Sequence, residues 1–410
     1  MINIRVPQGI RKVADQIKNI FLDSPHFGYN NICSLLVLFL FDLENLSELG
    51  RNSPWASSTS ELSRAVQSFE PNRFMRRLQK SILRRYKGKI NADDFCLAVD
   101  DTDNPKYGKG IFRAGNWKSS KGKYFGQKIL MIVLVDIKRG IALPLSYEFL
   151  AKKDDPDYQL AFDVAIRLLQ ELFELGIPKI PLVADSWFFS ADFATKLKNM
   201  GIDFIGEMKS NRKVKKTTQH SECWSSLLKL FAGLKKKKFG KKKAVKWYQE
   251  CLLRVKKIDF KLRVIAVYNN RKERNPFAYY ASTNSEISGA RILKFYKARW
   301  KIECLFRDLK QWLSFGRLPC RGENAAHLAV CLPLALIVSL RLDSPQGWGL
   351  DKRDSIGKMI SIVRENSLEK SLDFLVHNKE SKLVDDLRAR RDRSRVNKKC
   401  VNRTAEEMAA

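Results

Sequence analysis

The chain has 410 residues, of which 44% are hydrophobic, so it can bury a sizeable core in more than one domain and is not disordered overall. Lysine and arginine number 76 against 44 acidic residues, and the formal net charge of +32 makes nucleic acid the leading partner. The eight cysteines form no CxxC pair and there are only four histidines, which argues against a disulfide framework or a zinc site and favours a reducing cytoplasm.

The first 90 residues have the apolar spacing of helices and no convincing strand. Helices are predicted over residues 10–21, 32–46, 60–69 and 71–86, and the last of these is rich in arginine. We interpret region 1–90 as a helical DNA-binding module. The alternative is an ordinary helical cap with a solvated basic face, because helix-turn-helix patterns are weak signals in a single sequence.

From residue 94 the pattern becomes that of strands alternating with helices. "FCLAVD" is a short apolar run that ends in acid, and "QKILMIVLVDI" and "GIALPLSYEFL" flank a turn and predict a hairpin. An amphipathic helix ending at Gly176 follows, then the strand "KIPLVAD", the helix "SADFATKLKNMG" and the strand "IDFIGEM". Region 91–207 is therefore predicted to form a mixed α/β sheet.

The alternation is interrupted over region 208–285. It contains the lysine-rich loop "LKKKKFGKKKAVK" and three further predicted strands, which we interpret as an inserted β subdomain. Region 286–345 holds two helices, and region 346–410 is a basic helical tail. The apolar run in the second helix is shorter than the roughly 20 residues that cross a bilayer and contains Pro333, which favours a core helix and no membrane contact.

Two aspartates stand where open α/β sheets carry their chemistry. Asp100 and Asp185 each follow an apolar strand at its carboxyl end, and if the strands are neighbours the two carboxylates lie close together. Like charges at that distance require a cation between them, and Mg²⁺ suits hard oxygen ligands and a phosphate substrate. Two such ions about 4 Å apart support displacement at phosphorus, with Glu303 as a third carboxylate.

The helix predicted over residues 295–312 places four polar side chains in one stripe. At about 100° per residue, Tyr296, Arg299, Glu303 and Lys310 fall within an arc of about 60°. Arginine and lysine at these positions suit DNA phosphates, and the tyrosine can donate a hydrogen bond or stack. Apolar residues form the adjacent face that would anchor the helix: Phe295, Ile302, Leu305, Phe306 and Leu309.

Each acidic position also has a purely structural interpretation. Asp101 and Asp103, like Asp100, could belong to an Asx turn that leaves the strand. Asp185 could be the N-cap of the next helix. Glu303 could be the surface salt-bridge partner of a neighbouring arginine on its own helix.

The spacing Tyr296-x2-Arg299-x3-Glu303-x6-Lys310 resembles the YREK signature of bacterial insertion-sequence DDE transposases, the insertion sequence four group. "VDDT" resembles the strand of that family that ends in Asp-x-Thr, and "VADSWF" and "ASTN" strengthen the likeness. The resemblance covers residues 90–340. It implies a ribonuclease H-like catalytic core with a β insertion.

The resemblance implies cut-and-paste movement of DNA by the acidic triad. Asp100, Asp185 and Glu303 would bind two Mg²⁺ ions, which Mn²⁺ can replace, nick the transposon end and join its 3′-hydroxyl to target DNA. The Asp100-Asp101 pair leaves the first ligand uncertain by one residue, and strand alternation favours Asp100.

The resemblance also implies the partners. Tyr296, Arg299 and Lys310 would contact double-stranded DNA at the terminal inverted repeats, within a homodimer that is cytoplasmic and associated with the bacterial nucleoid. An aromatic of the insertion would stack on a flipped base, for which Trp247 and Trp224 are candidates, although either could be a buried core residue. The alternatives are a domesticated DNA-binding protein without catalysis and a ribonuclease H-like repair nuclease.

Overall fold

A computed structural model gives the fold of most of the chain. The described residues are 8–21, 26–41, 58–108, 110–119, 122–217, 224–231, 234–240, 246–317, 322–342 and 354–377. They divide into two compact units, Met1–Phe74 with Asp308–Ala410, and Met75–Arg307, each of which is described below by itself.

Along the chain, helices precede and follow a central region of strands, as the apolar spacing predicts. The α-helices in chain order are α1 Gln8–Ile17, α2 Tyr29–Leu40, α3 Thr59–Gln67, α4 Pro71–Arg85, α5 Ala161–Glu174, α6 Ala191–Asn199, α7 Leu227–Phe231, α8 Gly289–Trp312, α9 Glu323–Leu342 and α10 Ile356–His377. Ser58 caps α3 by accepting a hydrogen bond from the Glu61 amide at 3.2 Å, which satisfies a donor that the first turn leaves free.

The strands form one sheet. They are β1 Phe95–Pro105, β2 Gly115–Ser119, β3 Gly122–Asp136, β4 Ile141–Phe149, β5 Leu182–Ala184, β6 Phe204–Glu207, β7 Lys213–Lys216, β8 Ser225–Ser226, β9 Lys237–Phe239, β10 Lys246–Val255, β11 Lys261–Tyr268 and β12 Ala278–Ser282. The order is β2-β3-β1-β5-β6-β12-β11-β10-β7-β8, with β4 beside β3 and β9 beside β10. The predicted mixed α/β sheet is confirmed.

The strand directions place the two predicted acidic positions at one edge. β3 is antiparallel to β1 and to β4, whereas β5 is parallel to β1 and β6 is parallel to β5. Parallel neighbours need a crossover, which α5 supplies before β5 and α6 supplies before β6. β5 and β6 therefore end at one edge of the sheet, level with Asp100, while β1 continues past that level to Pro105.

The predicted insertion is built from strands that continue this sheet. β12 pairs with β6 and carries β11, β10 and β7 after it, so these strands are hydrogen-bonded to the central sheet and not held in a separate one. β9 also lies within the lysine-rich stretch that we predicted as a loop, since Lys237–Phe239 pairs with β10. The short strands β2, β7, β8 and β9 were not predicted.

The helical unit has an apolar core. Four phenylalanine rings form a closed group in which neighbouring ring centroids are 4.9 to 5.9 Å apart and one pair is stacked: Phe21, Phe27, Phe69 and Phe74. The helix α9 is long and apolar enough to cross a membrane, but most of it is buried, and one such helix is weak evidence for a membrane protein. Within the predicted helical tail over 346–410, Ile356–His377 forms the helix α10, and residues 346–353 and 378–410 lie outside the described residues.

A glycine in β3 allows β1 to approach closely, and its replacement should destabilise the sheet. A Cβ at Gly126 would lie against the backbone oxygen of Asn104 and 2.8 Å from the Cα of Pro105, and backbone atoms cannot move aside as a flexible side chain can. We expect Gly126→Ala to lower the free energy of unfolding by about 1–3 kcal/mol, measured by urea denaturation. Gly28→Ala, whose Cβ would meet nothing within 4 Å, is the control, and equal losses in both variants would contradict the explanation.

Candidate active site

Asp100 and Asp185 lie beside each other on adjacent parallel strands. β1 and β5 pair with Leu97 opposite Leu182 and Ala98 opposite Val183. Continuing that register puts Asp185, the residue after β5, opposite Asp100, with backbones about 5 Å apart. The two carboxylates that the sequence separates by 85 positions are thus neighbours at the carboxyl edge of the sheet.

The carboxylate of Asp100 is buried beside another negative charge. Its Oδ1 accepts a hydrogen bond from the Asp101 amide at 2.9 Å, and its Oδ2 lies 3.4 Å from Nη1 of Arg299. Burial, then repulsion from Asp185, raise the pKa of Asp100 to about 7, although Arg299 opposes the shift. Asp100 is therefore a carboxylate whose negative charge needs more cation than the chain provides.

Asp101 faces the opposite side of the strand and has its own partner. Lys128 of β3 lies 3.1 Å from Oδ2 of Asp101 and 3.3 Å from Oδ1 of Asp103, and the Tyr124 hydroxyl donates to Asp103 at 2.6 Å. The alternative of an Asx turn is wrong, because β1 continues to Pro105. Strand alternation thus separates Asp100 from Asp101, as we expected.

Asp185 closes the turn that follows β5. Its Oδ1 accepts hydrogen bonds from the amides of Trp187 at 2.9 Å and Phe188 at 3.3 Å. The N-cap of α6 is instead Ser190, whose hydroxyl accepts from the Phe193 amide at 3.1 Å, so the predicted alternative for Asp185 is wrong. Oδ2 of Asp185 has no hydrogen bond among the described residues and remains available to a ligand.

The helix α8 brings Arg299 and Glu303 to the two aspartates. Its predicted apolar face is buried throughout, from Phe295 to Leu309, which fixes the rotation of the helix. Nη2 of Arg299 lies 2.6 Å from Oε1 of Glu303, one turn further along, while Nη1 reaches Asp100. The salt bridge that we considered as an alternative for Glu303 is present, and it ties Glu303 to Asp100 through one guanidinium.

Tyr296 is held by a residue that our sequence analysis missed. The Tyr296 hydroxyl donates to Oε2 of Glu207 at 2.8 Å, and its ring stacks on Tyr280 with centroids 3.9 Å apart. Burial and Glu207 raise the pKa of Tyr296, and the guanidinium carbon of Arg299 lies 5.5 Å from the centre of its ring. The signal for Glu207 was the acid at the end of "IDFIGEM", because β6 is parallel to β5 and ends at the same edge.

The contact between Glu207 and Tyr296 predicts a measurable coupling. Glu207→Ala leaves the partly buried Tyr296 hydroxyl without its acceptor and should lower the free energy of unfolding by about 1 kcal/mol. In the Tyr296→Phe background the same change should cost much less, because no hydroxyl remains to satisfy. Denaturation of the four proteins of this double-mutant cycle tests the coupling, and equal costs in both backgrounds would contradict it.

The remaining predicted DNA contacts lie elsewhere. Lys310 is in the last turn of α8, in the part that belongs to the helical unit. Trp247 is partly exposed on β10, with the Arg271 guanidinium 5.7 Å from its ring centre, and Trp224 is 36% exposed beside Lys215. Neither tryptophan is a buried core residue, so that alternative is wrong for both.

The acidic cluster, by which we mean Asp100, Asp185 and Glu303, has the oxygen donors that a divalent cation prefers. Among the described residues no three histidine, cysteine or acidic side chains are close enough to hold a metal ion as they stand, since Arg299 lies between Asp100 and Glu303. Arg299 pairs with two of the carboxylates, those of Asp100 and Glu303, and its Nε is itself buried without a partner in the described part of the chain. The donors are all hard oxygens with about two negative charges in excess, which fits Mg²⁺ or Mn²⁺.

Comparison with known proteins gives the family. A family model described as "Transposase DDE domain" matches residues 92–338, more than half of the chain, whereas no curated protein matches it. A piggyBac transposase synaptic complex with hairpin DNA is 12% identical with a TM-score of 0.47, covering 94% of this chain and 84% of that one. A Ciona intestinalis endonuclease V bound to DNA is 13% identical with a TM-score of 0.25, covering 56% of this chain and 86% of that one.

The structural likenesses are too weak to support a function, and the assignment rests on the family model. That model spans all the strands of the sheet together with α8 and most of α9. The chain therefore belongs to the DDE transposase family and is an enzyme that cleaves DNA and transfers its strands.

Proposed function

We propose that Asp100, Asp185 and Glu303 are the catalytic acids of this transposase and hold its divalent metal ions. The observation that carries the proposal is the register of β1 and β5, which sets Asp100 beside Asp185, together with the Arg299 guanidinium that joins Asp100 to Glu303. The proposal is supported by the position of Asp185 directly after β5, at the level of Asp100 in β1, and by the link that Arg299 makes from Asp100 to Glu303 of α8.

The residues divide into metal ligands and DNA contacts. Asp100, Asp185 and Glu303 would hold two Mg²⁺ ions, with Mn²⁺ as a substitute, and such ions lower the pKa of a nucleophilic water or 3′-hydroxyl and stabilise a leaving oxygen at phosphorus. When divalent cations neutralise the carboxylates, the planar guanidinium of Arg299 would bind a DNA phosphate through two hydrogen bonds. Tyr296 and Lys310 would contact the same transposon end.

The finer classification is also a proposal. The YREK spacing supports membership of the insertion sequence four group, and the order β4-β3-β1-β5-β6 supports a ribonuclease H-like core. We propose a helical DNA-binding region over residues 1–90, core segments over 91–207 and 286–345, an insertion over 208–285 and a basic tail over 346–410.

The reaction sets the partners. We propose that the enzyme binds the terminal inverted repeats of its transposon and then target DNA, as a homodimer that pairs two ends, in the bacterial nucleoid. The net charge of +32 supports close association with DNA. No observation favours a non-catalytic DNA-binding protein or a repair nuclease.

Cleavage and strand transfer in vitro test the proposal and the identity of the first ligand together. With end-bearing DNA and Mg²⁺ or Mn²⁺, Asp100→Asn should be inactive, whereas Asp101→Asn, which alters only the pairing with Lys128, should keep activity within about tenfold of the wild type. The reverse pattern would transfer the role to Asp101, and activity in both variants would disprove a metal site at this position.

A further inference from the structure

A row of cationic side chains crosses three adjacent strands at one end of the sheet. Arg254 of β10 lies opposite Lys215 of β7 on one side and opposite Lys261 of β11 on the other. Directly opposite residues of antiparallel strands project from the same face. The Lys256 amide bonds the Lys213 carbonyl oxygen at 3.0 Å, so these two lysines extend that face by a second row. We call these five residues the basic strip.

Among the described residues, the basic strip has no carboxylate as a counterion. Arg254, Lys213, Lys256 and Lys261 are exposed and Lys215 is half-buried. In the stretches that the structure describes, none of the five forms an ion pair with a carboxylate. Glu250, the acid on the same strand, is instead bound to Lys237 and to the Gly289 amide at the start of α8.

Such an arrangement weakens the fold. Like charges directly opposite each other in a sheet are destabilising, and here Arg254 has a like-charged neighbour on both sides. A merely solvated basic surface would not need cations aligned in this way on rigid strands. An external polyanion removes the repulsion, and the enzyme's own substrate, DNA, is one.

The spacing of the basic strip fits a duplex. Neighbouring strands are about 4.8 Å apart, so the backbones that carry Lys215 and Lys261 are about 10 Å apart, and the two rows are separated by about 7 Å. These lengths are comparable with the roughly 12 Å and 6 Å widths of the major and minor grooves. Flexible lysine and arginine side chains on this grid can therefore reach phosphates on both sides of one groove.

The basic strip is distinct from the acidic cluster. Glu207 on β6 pairs with Tyr280 on β12, Tyr280 pairs with Ile265 on β11, and Ile265 pairs with Glu250 on β10. Glu250 therefore lies level with Glu207 at the carboxyl edge. Arg254 lies four residues further along β10, in the direction away from that edge, a distance of about 14 Å. DNA held there is contacted several base pairs from the phosphate that reacts.

We propose that the basic strip is a sequence-independent binding surface for the phosphate backbone of duplex DNA. The proposal uses the transposase function only to name the partner and does not depend on which acids catalyse the reaction. Because the contacts are ionic, they contribute to affinity and to its dependence on salt, and not to recognition of a base sequence.

DNA binding by the full chain, measured by fluorescence anisotropy without divalent metal, tests the proposal. For the triple variant Lys215→Gln, Arg254→Gln, Lys261→Gln we expect at least tenfold weaker binding of a duplex of about 30 base pairs at about 100 mM salt. The slope of log affinity against log salt should fall by about two to three. The loss should be equal for two unrelated sequences, and the melting temperature should be unchanged or higher because a repulsion has been removed.

Two control proteins separate the basic strip from overall charge and from folding. Lys215→Arg, Arg254→Lys, Lys261→Arg keeps the charges and should bind as the wild type does. Lys138→Gln, Lys153→Gln, Lys179→Gln removes three charges from exposed positions outside the basic strip and outside region 1–90, and should change affinity much less. An unchanged salt slope in the strip variant, or an equal loss in this second control, would overturn the proposal. DNA cleavage at saturating DNA should persist in the strip variant, which keeps this test independent of the catalytic assignment.

Discussion

Glu303→Gln should reduce strand cleavage and strand transfer by at least about 10³-fold while DNA binding is retained. Glutamine keeps the size and hydrogen-bonding ability of the side chain but removes the negative charge that a divalent cation requires. The variant also keeps an acceptor for Arg299, which lies 2.6 Å from Oε1 of Glu303, so the helix should stay in place. Denaturing gels of end-bearing DNA measure cleavage, and anisotropy measures binding.

The matched control is an acid on the same helix. Asp308 lies five positions after Glu303 in α8 and faces Arg341 at 3.9 Å within the helical unit. Asp308→Asn should keep substantial cleavage activity. If Glu303→Gln still cut DNA at a rate near that of the wild type, α8 would not supply a metal ligand.

Asp100→Asn should make the metal-free protein more stable at pH 8, although it removes activity. Burial and Asp185 raise the pKa of Asp100 from 3.8 to about 7 in the folded protein. Between those pH values the folded protein binds more protons than the unfolded chain, so the wild type loses stability as the pH rises to about 7 and loses no more above it. Asparagine has no proton to lose and is free of this penalty.

The stability difference should therefore grow with pH. It should be near zero at about pH 4 and reach up to about 4 kcal/mol at pH 8, measured by urea denaturation in a chelator. Glu174→Gln, an isosteric change at an exposed position at the end of α5, should show no such growth. Adding Mg²⁺ should stabilise the wild type more than Asp100→Asn, because only the wild type keeps the full ligand set. A difference that is constant with pH would show that Asp100 is not repelled in the folded state.

The carboxylates of the candidate active site lower the free energy of unfolding of the metal-free protein. Repulsion between the neighbouring carboxylates of Asp100 and Asp185 destabilises the free enzyme, and the divalent cation that we propose for this site would offset it. The basic strip also places like charges next to each other, but there the charges are positive and lie on β7, β10 and β11. Under the two proposals, each region would bind a ligand at a cost to the stability of the free enzyme.

Local sequence patterns determined most of the elements and the identity of the acids. Apolar runs of period two and amphipathic runs of period 3.6 are properties of the chain itself, so β1, β3, β4, α5 and α8 were predictable. The position of Asp185 directly after β5, and of Arg299 and Glu303 one turn apart on α8, also follows from the sequence alone. The predicted strand end at Asp100 is wrong, because β1 continues to Pro105 and Asp100 lies in its middle. Short strands such as β7 and β9 carry too few residues to show a period, and they were missed.

The tertiary structure decided which of these residues meet. Strand order and register depend on contacts between distant segments. The sequence therefore left open whether Asp100 and Asp185 are neighbours, whereas the pairing of β1 with β5 puts them side by side when its register is continued. Glu207 was likewise recognised as part of the site only from the pairing of β6 with β5. The like-charged neighbours of Arg254 come from two other strands, so they too could not be predicted from the sequence. Periodicity acts along the chain, whereas electrostatic repulsion and metal affinity act through space, and only the folded chain fixes those distances.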